Sequence, residues 1–305
     1  MDANKPIVTL IKMTTRVPSF FLSLFLFKAF FSFAALASQA QSNNADIPKE
    51  LVVAARGMPE IWAEQVGKQS CDRYKLPEQH DLTRGFYESL IACRALKAAG
   101  IDTRFKFIAP PSHARAIRMV EEGKVDLLSE SAWLSDSNPE LVYISDAVVR
   151  EGRFVKGLYA LKGHPILASE TPEQDYKNYR AITVEFWHHD KQALKSITDN
   201  IVYTAQHNRA HEMLLAGRAD YTLYKFAEQE NLETNVEGVP VLPVQGIKVA
   251  LPGSRHFLVN AQKPYADNLT KALNKGLMIL REEQDIEDFL GVSPTAVEDW
   301  ILLNP

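Results

Sequence analysis

Apolar and polar residues along this chain follow a repeating order of strands and helices. Residues 83–99 predict a helix, because apolar residues recur there at helical spacing and Gly100 ends the pattern. Strands are predicted at residues 51–56, 103–109, 125–131, 181–186, 201–204, 219–226 and 256–260, with further helices at 191–197, 264–281, 284–290 and 294–301. The short connections predict an α/β fold of sheets flanked by helices, with the binding edge at the carboxyl ends of the parallel strands.

One helix-and-strand pattern occurs twice. Residues 113–126 (HARAIRMVEEGKVD) return as residues 207–220 (HNRAHEMLLAGRAD), with six identical positions at the same offsets. Each copy predicts a helix that begins near His, ends at Gly and is followed by a short buried strand. The repeat indicates two similar α/β lobes, whereas chance is the alternative, since any α/β protein repeats helix, Gly and strand. A paired-lobe protein usually works in the cleft between its lobes.

Two long segments predict the connections between these lobes. Residues 141–161 are mostly extended and are interrupted near Gly152, and residues 239–251 contain several Pro and Gly breaks. We therefore predict that residues 41–149 form the first part of lobe one and that residues 150–243 form lobe two. Residues 244–305 are predicted to return to lobe one and to end in helices. Two crossings predict a hinged clamshell.

The first forty residues predict a signal peptide rather than part of the fold. Lys12 and Arg16 precede an apolar run, residues 20–37, which ends in small residues. The true start is either Met1 or Met13, because residues 13–40 alone have the length of an ordinary signal. An uncleaved membrane anchor is the alternative, but Lys28 within the run disfavours it. The prediction is an exported, periplasmic protein.

Composition excludes several classes of function. The chain has 305 residues, 46% hydrophobic and 24% charged, with a net charge of −4. Residues 1–40 carry four cations and one anion, so the remainder carries −7. A mildly acidic body without a basic stripe is a poor nucleic-acid binder, because phosphates require clustered Lys and Arg. We expect a monomer that binds no nucleic acid.

Cys71 and Cys93 are the only two cysteines. In an exported protein a disulfide between them is the favoured interpretation. Two buried thiols or a redox pair are the alternatives, although the spacing is not Cys-x-x-Cys and no metal-ligating companions lie beside them.

The order of these elements resembles the periplasmic solute-binding proteins of the amino-acid-uptake type, with the type II periplasmic-binding fold of extracellular solute-binding family 3. The segments that carry the resemblance lie between residues 49 and about 291: GKVDLLSESAWLSD, YISDAVV, LLAGRADYTLY and NAQKPYADNLTKALNKGLMILREEQDIEDFLG. The resemblance implies two lobes that close around one small ligand and deliver it to an inner-membrane ABC permease. It implies no catalysis, no catalytic residue and no cofactor.

This chain departs from the family where an amino-acid ligand would bind. The family places an Arg shortly after the Ser-x-Ser strand, and this chain has residues 137–139 (SNP) there. The family's Gly-Ser/Thr turn is here residues 185–189 (EFWHH), and its acidic partner for the ligand amino group falls on Lys225. An ordinary α-amino acid would therefore lose three of its usual partners.

The predicted ligand-binding residues lie at strand ends. Arg56 and Lys225 would bring positive charge from opposite lobes to an anionic or carbonyl-rich ligand, unless they form salt bridges to Glu60, Glu130 or Glu185. Trp133 and Trp187 would sandwich a ring, unless they pack in the lobe cores. The complete set of predicted ligand-binding residues is Arg56, Ser129, Ser131, Trp133, Trp187, His188 and Lys225.

We predict no metal site, because His188 and His189 are adjacent and no spacing supplies further ligands. The predicted function is an exported protein that closes around a small polar solute, with an anionic one favoured, for uptake by a transporter. One alternative is a ligand-sensing protein for a membrane receptor. Another is a dehydratase-like enzyme with Glu130 or Glu185 as its base, although no nucleophile–base pair or phosphate loop is recognisable.

Overall fold

A computed structural model describes residues 46–56, 62, 66, 71, 83–227, 231–283, 286 and 297–305. The predicted signal peptide, residues 1–40, lies outside the described residues, and so does most of the predicted helix at 284–290. Among the residues described, no helix is long and apolar enough to cross a membrane.

The elements of the first half are β1 (Glu50–Ala54), α1 (Arg84–Ala98), β2 (Arg104–Ile108), α2 (His113–Glu121), β3 (Leu127–Trp133) and β4 (Val142–Val149). The chain continues with β5 (Val155–Leu161), α3 (Pro172–Asp175), β6 (Ala181–Val184), α4 (His188–Lys195), β7 (Ile201–Thr204), α5 (His207–Leu215) and β8 (Tyr221–Tyr224). The last elements are β9 (Thr234–Val236), β10 (Val239–Pro243), β11 (Ile247–Ala250), β12 (Arg255–Asn260), α6 (Ala266–Glu282) and β13 (Ile301–Leu302). Short 3₁₀ helices occupy Leu134–Asp136, Pro165–Ala168 and Tyr176–Asn178.

The first sheet has the strand order β2–β1–β3–β12–β4 and forms lobe one. Strand β1 is parallel to β2 and β3, and β12 runs antiparallel to β3 and β4. Side chains of β1 alternate between its faces: Leu51 and Val53 join the apolar core formed with α1 and α6, while Ala54 joins the core formed with α2. Both faces of this sheet are therefore covered by helices.

Helices α1 and α6 approach closely because a glycine lies at their crossing. A Cβ atom on Gly276 would come 1.8 Å from the carbonyl oxygen of Ala95. No side chain fits in that space.

The second sheet has the order β13–β11–β5–β8–β6–β7, with β10 paired to β5 and β9 to β10, and forms lobe two. Its core contains Leu158, Ala181, Leu194 and Tyr221. Two sheets flanked by helices confirm the predicted two-lobe α/β fold.

The sheet to which β11 and β13 belong corrects the predicted lobe boundary. We predicted that residues 244–305 return to lobe one, but Val249 of β11 pairs with Lys156 and Ile247 pairs with Ile301. The return to lobe one therefore occurs over residues 251–254, and the chain ends in lobe two. The predicted helix at 294–301 is wrong at its end, since Ile301 is in a strand. A two-residue strand carries no periodic pattern, and Pro and Gly in residues 239–251 obscured the strands there.

Both copies of the repeated segment fold as predicted. Helix α2 begins at His113 and α5 begins at His207. Gly123 and Gly217 follow these helices with φ of 72° and 65°, a left-handed conformation that glycine adopts without steric cost. Strands β3 and β8 come next.

The predicted disulfide is present. Cys71 and Cys93 are bonded, with their Cα atoms 6.2 Å apart. Both lie in an apolar cluster with Trp62, Phe86 and Leu90, so the bridge fastens residue 71 to helix α1.

Candidate functional site

A cavity of about 390 Å³ lies between the two lobes. Lobe one contributes the start of α1, the end of β3 with the turn after it, and the start of β12, while lobe two contributes β5 and the start of α4. Phe154 and Leu251 lie in two segments that cross between the lobes, between β4 and β5 and between β11 and β12. The lining residues are Arg84, Trp133, Asp136, Phe154, Lys156, Phe186, Trp187, His188, His189, Asp190, Leu251 and Arg255.

The structure places three of the predicted ligand-binding residues in the cavity wall: Trp133, Trp187 and His188. Lys225 is exposed and does not line the cavity. Arg56 forms an ion pair with Glu130, which is the salt-bridge alternative for that residue.

The two predicted serines are buried and do not line the cavity. Ser129 is fully buried, and its hydroxyl is 2.7 Å from the hydroxyl of Ser89. The Ser131 hydroxyl donates to Glu88 Oε1 at 2.7 Å and accepts from Arg255 Nε at 3.0 Å. Ser131 therefore positions an arginine that sequence reasoning did not identify.

Arg255 is a buried cation in the cavity wall, only 4% exposed. Its guanidinium also donates to the carbonyl oxygen of Ser131 and lies 4.8 Å from the ring centroid of Trp133. No carboxylate of the described residues comes within ion-pairing distance of it. Burial, with the nearby Arg84 guanidinium, lowers the pKa of Arg255 to about 9, so the group stays charged at neutral pH. A buried charge without a counter-ion is costly unless a ligand supplies one.

Arg255 belongs to a charged network in lobe one. Glu88 is fully buried, accepts from the backbone N–H of Ser131 at 2.8 Å and lies 3.5 Å from Arg84 Nε. Burial alone would raise the pKa of Glu130, but hydrogen bonds from Arg56 hold this pKa well below its usual range, with a further contribution from His113, whose Nδ1 lies 3.8 Å from Glu130 Oε1. Three carboxylates, of Glu88, Glu130 and Asp136, act on Arg255. Among the residues that line the cavity from lobe one, the guanidinium groups of Arg84 and Arg255 stand against the single carboxylate of Asp136.

The wall from lobe two is closer to electrical neutrality. Lys156 Nζ lies 2.5 Å from Asp190 Oδ1, and this ammonium group is 5.8 Å from the ring centroid of Trp187. Phe186 lines the cavity yet is 59% exposed. Lobe two thus offers aromatic surface and one ion pair whose charges already compensate each other.

His189 of α4 connects lobe two to lobe one. Its ring stacks on Trp133 with centroids 3.9 Å apart. Its Nδ1 lies 2.7 Å from the carbonyl oxygen of Pro252, which only accepts, so Nδ1 carries the proton and Nε2 accepts from the Ser135 hydroxyl at 3.2 Å. Both ring nitrogens are therefore engaged in the contact between lobes.

Sequence reasoning missed all the charged lining residues, namely Arg84, Asp136, Lys156, Asp190 and Arg255. One signal was available for Arg84: a cation in the first turn of a helix is unfavourable against the helix dipole and indicates a compensating anion nearby. Within the ranges that the structure describes, no three His, Cys, Asp or Glu residues are grouped to hold a metal ion.

Two solved structures show this fold. The chain is similar to substrate binding domain 2 of GlnP from Lactococcus lactis in its open conformation, with a TM-score of 0.51, 11% identity, and coverage of 82% of this chain and 97% of that one. It is also similar to the probable amino-acid ABC transporter extracellular-binding protein ytmK from Bacillus subtilis, with a TM-score of 0.53, 18% identity, and coverage of 80% and 96%. No protein-family model and no curated protein sequence matches the chain. The fold is therefore the two-lobe fold of solute-binding domains, as the sequence resemblance predicted.

Proposed function

We propose that this protein is a solute-binding protein that closes around a small organic anion. One observation carries the proposal: Arg255 is buried in the wall of an interlobe cavity, and no described carboxylate pairs with it. An anionic ligand would supply the missing counter-charge through charge-assisted hydrogen bonds. The two similar structures are a substrate binding domain and a probable amino-acid ABC transporter binding protein, which supports the binding role.

The size of the cavity supports one small ligand. Its volume of about 390 Å³ is at the lower end of the usual range for ligand pockets, roughly 300–1,000 Å³. Residues from both lobes line it, so a bound molecule would hold the lobes together.

We also propose an export route and a partner for this protein. Residues 1–40 would direct export to the periplasm, where the loaded protein would deliver its ligand to an inner-membrane ABC permease. A receptor is the alternative partner. The dehydratase-like alternative is weaker, because Glu130 is paired with Arg56 and Glu185 lies 2.7 Å from Lys191 Nζ, so both predicted bases are already engaged.

A thermal-shift screen tests the binding role. The protein is heated with monocarboxylates, dicarboxylates, amino acids, sugars and polyamines in turn, because a ligand that binds only the folded state raises the melting temperature. We expect an anion to raise it. Trp187→Ala should weaken binding of that anion by about tenfold or more, because the indole lines the cavity.

Lys225→Ala is the control, since Lys225 directly follows β8 but lies outside the cavity wall. It should change the Kd by less than about twofold. If only neutral or cationic solutes bind, or if both variants weaken binding equally, the proposed anion site is wrong. If no solute shifts the melting temperature, the binding role itself is contradicted.

A further inference from the structure

We infer that this site selects monocarboxylates that lack an α-ammonium group, and that Arg255 determines this selectivity. The inference rests on the proposed function and adds the chemical class of the ligand. Such a site differs from an amino-acid site, which must bind both the carboxylate and the α-ammonium group of its ligand.

The charges of the cavity favour a single negative charge on the ligand. The residues that line the cavity include three cations, Arg84, Lys156 and Arg255, and two carboxylates, Asp136 and Asp190, of which Lys156 and Asp190 form an ion pair. A monoanion would balance the charges of these lining residues. A dianion would leave an excess negative charge, and a zwitterion would leave the excess positive charge in place.

The guanidinium groups that would hold the carboxylate converge on one aromatic ring. Arg84 and Arg255 lie 5.8 Å and 5.7 Å from the centroid of Phe154, which also lines the cavity. Arg255 is fixed from below by Ser131, so few side-chain rotamers are lost when a ligand binds. The cation that the family supplies after the Ser-x-Ser strand thus comes here from the first residue of β12.

An α-ammonium group would find no comparable partner. Asp190 is bound to Lys156 and is 8% exposed, and Glu88 is bound to Ser131 and lies beneath the wall. Asp136 lines the cavity but is exposed on the turn after β3, where its charge already acts on Arg255. An ammonium approaching Asp136 would meet the like charge of Arg255 and lose part of its hydration.

The remaining wall suits an apolar substituent. Phe186, Trp187 and Leu251 present apolar surface, and the exposed Phe186 would be covered by such a group. Trp133 is less available than we predicted, because its ring is stacked on His189 and approached by Arg255. We therefore expect an apolar group of the ligand to contact Phe186 and Trp187 of lobe two rather than to lie between Trp133 and Trp187.

Matched ligand pairs test the inference with the unaltered protein. Calorimetry compares 3-phenylpropionate with L-phenylalanine and 2-phenylethylamine, and 4-methylpentanoate with L-leucine. Each acid differs from its amino acid only in the α-ammonium group. We expect each acid that binds to do so at least about thirtyfold more tightly than its amino acid, and the amine not to bind.

Two variants then identify the selecting residue. Arg255→Gln should abolish acid binding, because it leaves two cations, Arg84 and Lys156, against two carboxylates, Asp136 and Asp190, among the lining residues. The ligand-free melting temperature is measured to show that this variant folds. Asp136→Asn should tighten acid binding, because it removes a negative charge near the ligand carboxylate. If Arg255→Gln fails to fold, Arg84→Gln replaces it, with weaker acid binding expected.

The outcomes separate this inference from the proposed function. Amino acids that bind as tightly as their acids, with binding lost in Asp136→Asn, would overturn the inference and leave a solute-binding protein. Acid binding that survives Arg255→Gln would also overturn it. If no acid and no amino acid binds, while none of the wider solute screen binds either, both conclusions fail.

Discussion

His207 and His211 form the clearest pH-sensitive pair of residues outside the charged network. They lie one turn apart on α5 with ring centroids 4.0 Å apart, and His207 is 5.0 Å from the ring of Trp187. Burial lowers the pKa of both, and His211 lowers that of His207 further, while Glu237 acts in the opposite direction. Lys156 faces His207, and the Tyr224 hydroxyl is hydrogen-bonded to His211. The fold therefore favours the neutral form of both rings.

This shift predicts that acid destabilises the protein before its carboxylates titrate. A histidine with a lowered pKa binds fewer protons in the folded state than in the unfolded state. Its contribution to the free energy of unfolding is therefore fully present above the usual pKa of about 6.5, and it is lost as the pH falls below that value. The melting temperature is measured between about pH 7.5 and pH 5.5. The decrease should be smaller in His207→Gln than in the unaltered protein, and equal decreases would contradict the assignment.

At the scale of single residues, the sequence predicts that a side chain belongs to the site only when its position next to a predicted strand or helix places it there. Trp133 and Trp187 were predicted because each follows a strand end, and both line the cavity. Arg255 was not predicted, because its burial depends on β12 inserting between β3 and β4, a pairing across more than a hundred residues. Hydrophobic periodicity indicates local strands and helices, and it does not predict which distant strands pair.

Among the elements, α1 and α6 depend most on a single position. Gly276→Ala would normally stabilise a helix by about 1 kcal/mol. Here the new Cβ would lie 1.8 Å from the Ala95 carbonyl oxygen, so the helices must separate and their shared core must loosen. We expect a net loss of about 2–3 kcal/mol in the free energy of unfolding, measured by urea denaturation.

The neighbouring Lys275→Ala is the control, because Lys275 is exposed on the same helix. Its effect should stay within about 0.5 kcal/mol. A Gly276→Ala variant as stable as this control would show that the two helices do not pack as described.

The elements that periodicity predicts are those with local patterns. Helix α1 was predicted at residues 83–99 and spans Arg84–Ala98, and β7 was predicted with its observed bounds. Strand β13 was not predicted, since it depends on pairing with β11 and on Asn304, whose side-chain amide bonds the backbone of Ala250 twice, at 2.9 Å each. The side chain of Asn304 thus makes the two hydrogen bonds that the backbone of a paired strand would make with Ala250. Hydrophobic periodicity in the sequence does not predict such a contact.

For the whole molecule, the contacts of His189 connect the two lobes. They join α4 to Trp133, Ser135 and Pro252. Trp133 also packs in the apolar core of lobe two, so the same contact removes apolar surface from water. We expect these contacts to favour closed lobes over open ones before a ligand binds, which would raise the apparent affinity.

His189→Ala should shift the ligand-free protein toward open lobes. The radius of gyration from small-angle X-ray scattering should increase, and the Kd of a bound anion should rise, since the ligand must then also drive closure. His188→Ala is the matched control: His188 lines the same cavity on the same helix but makes none of these contacts, so the radius of gyration should not change. If His189→Ala leaves the radius unchanged while weakening binding, the residue contacts the ligand rather than holding the lobes together.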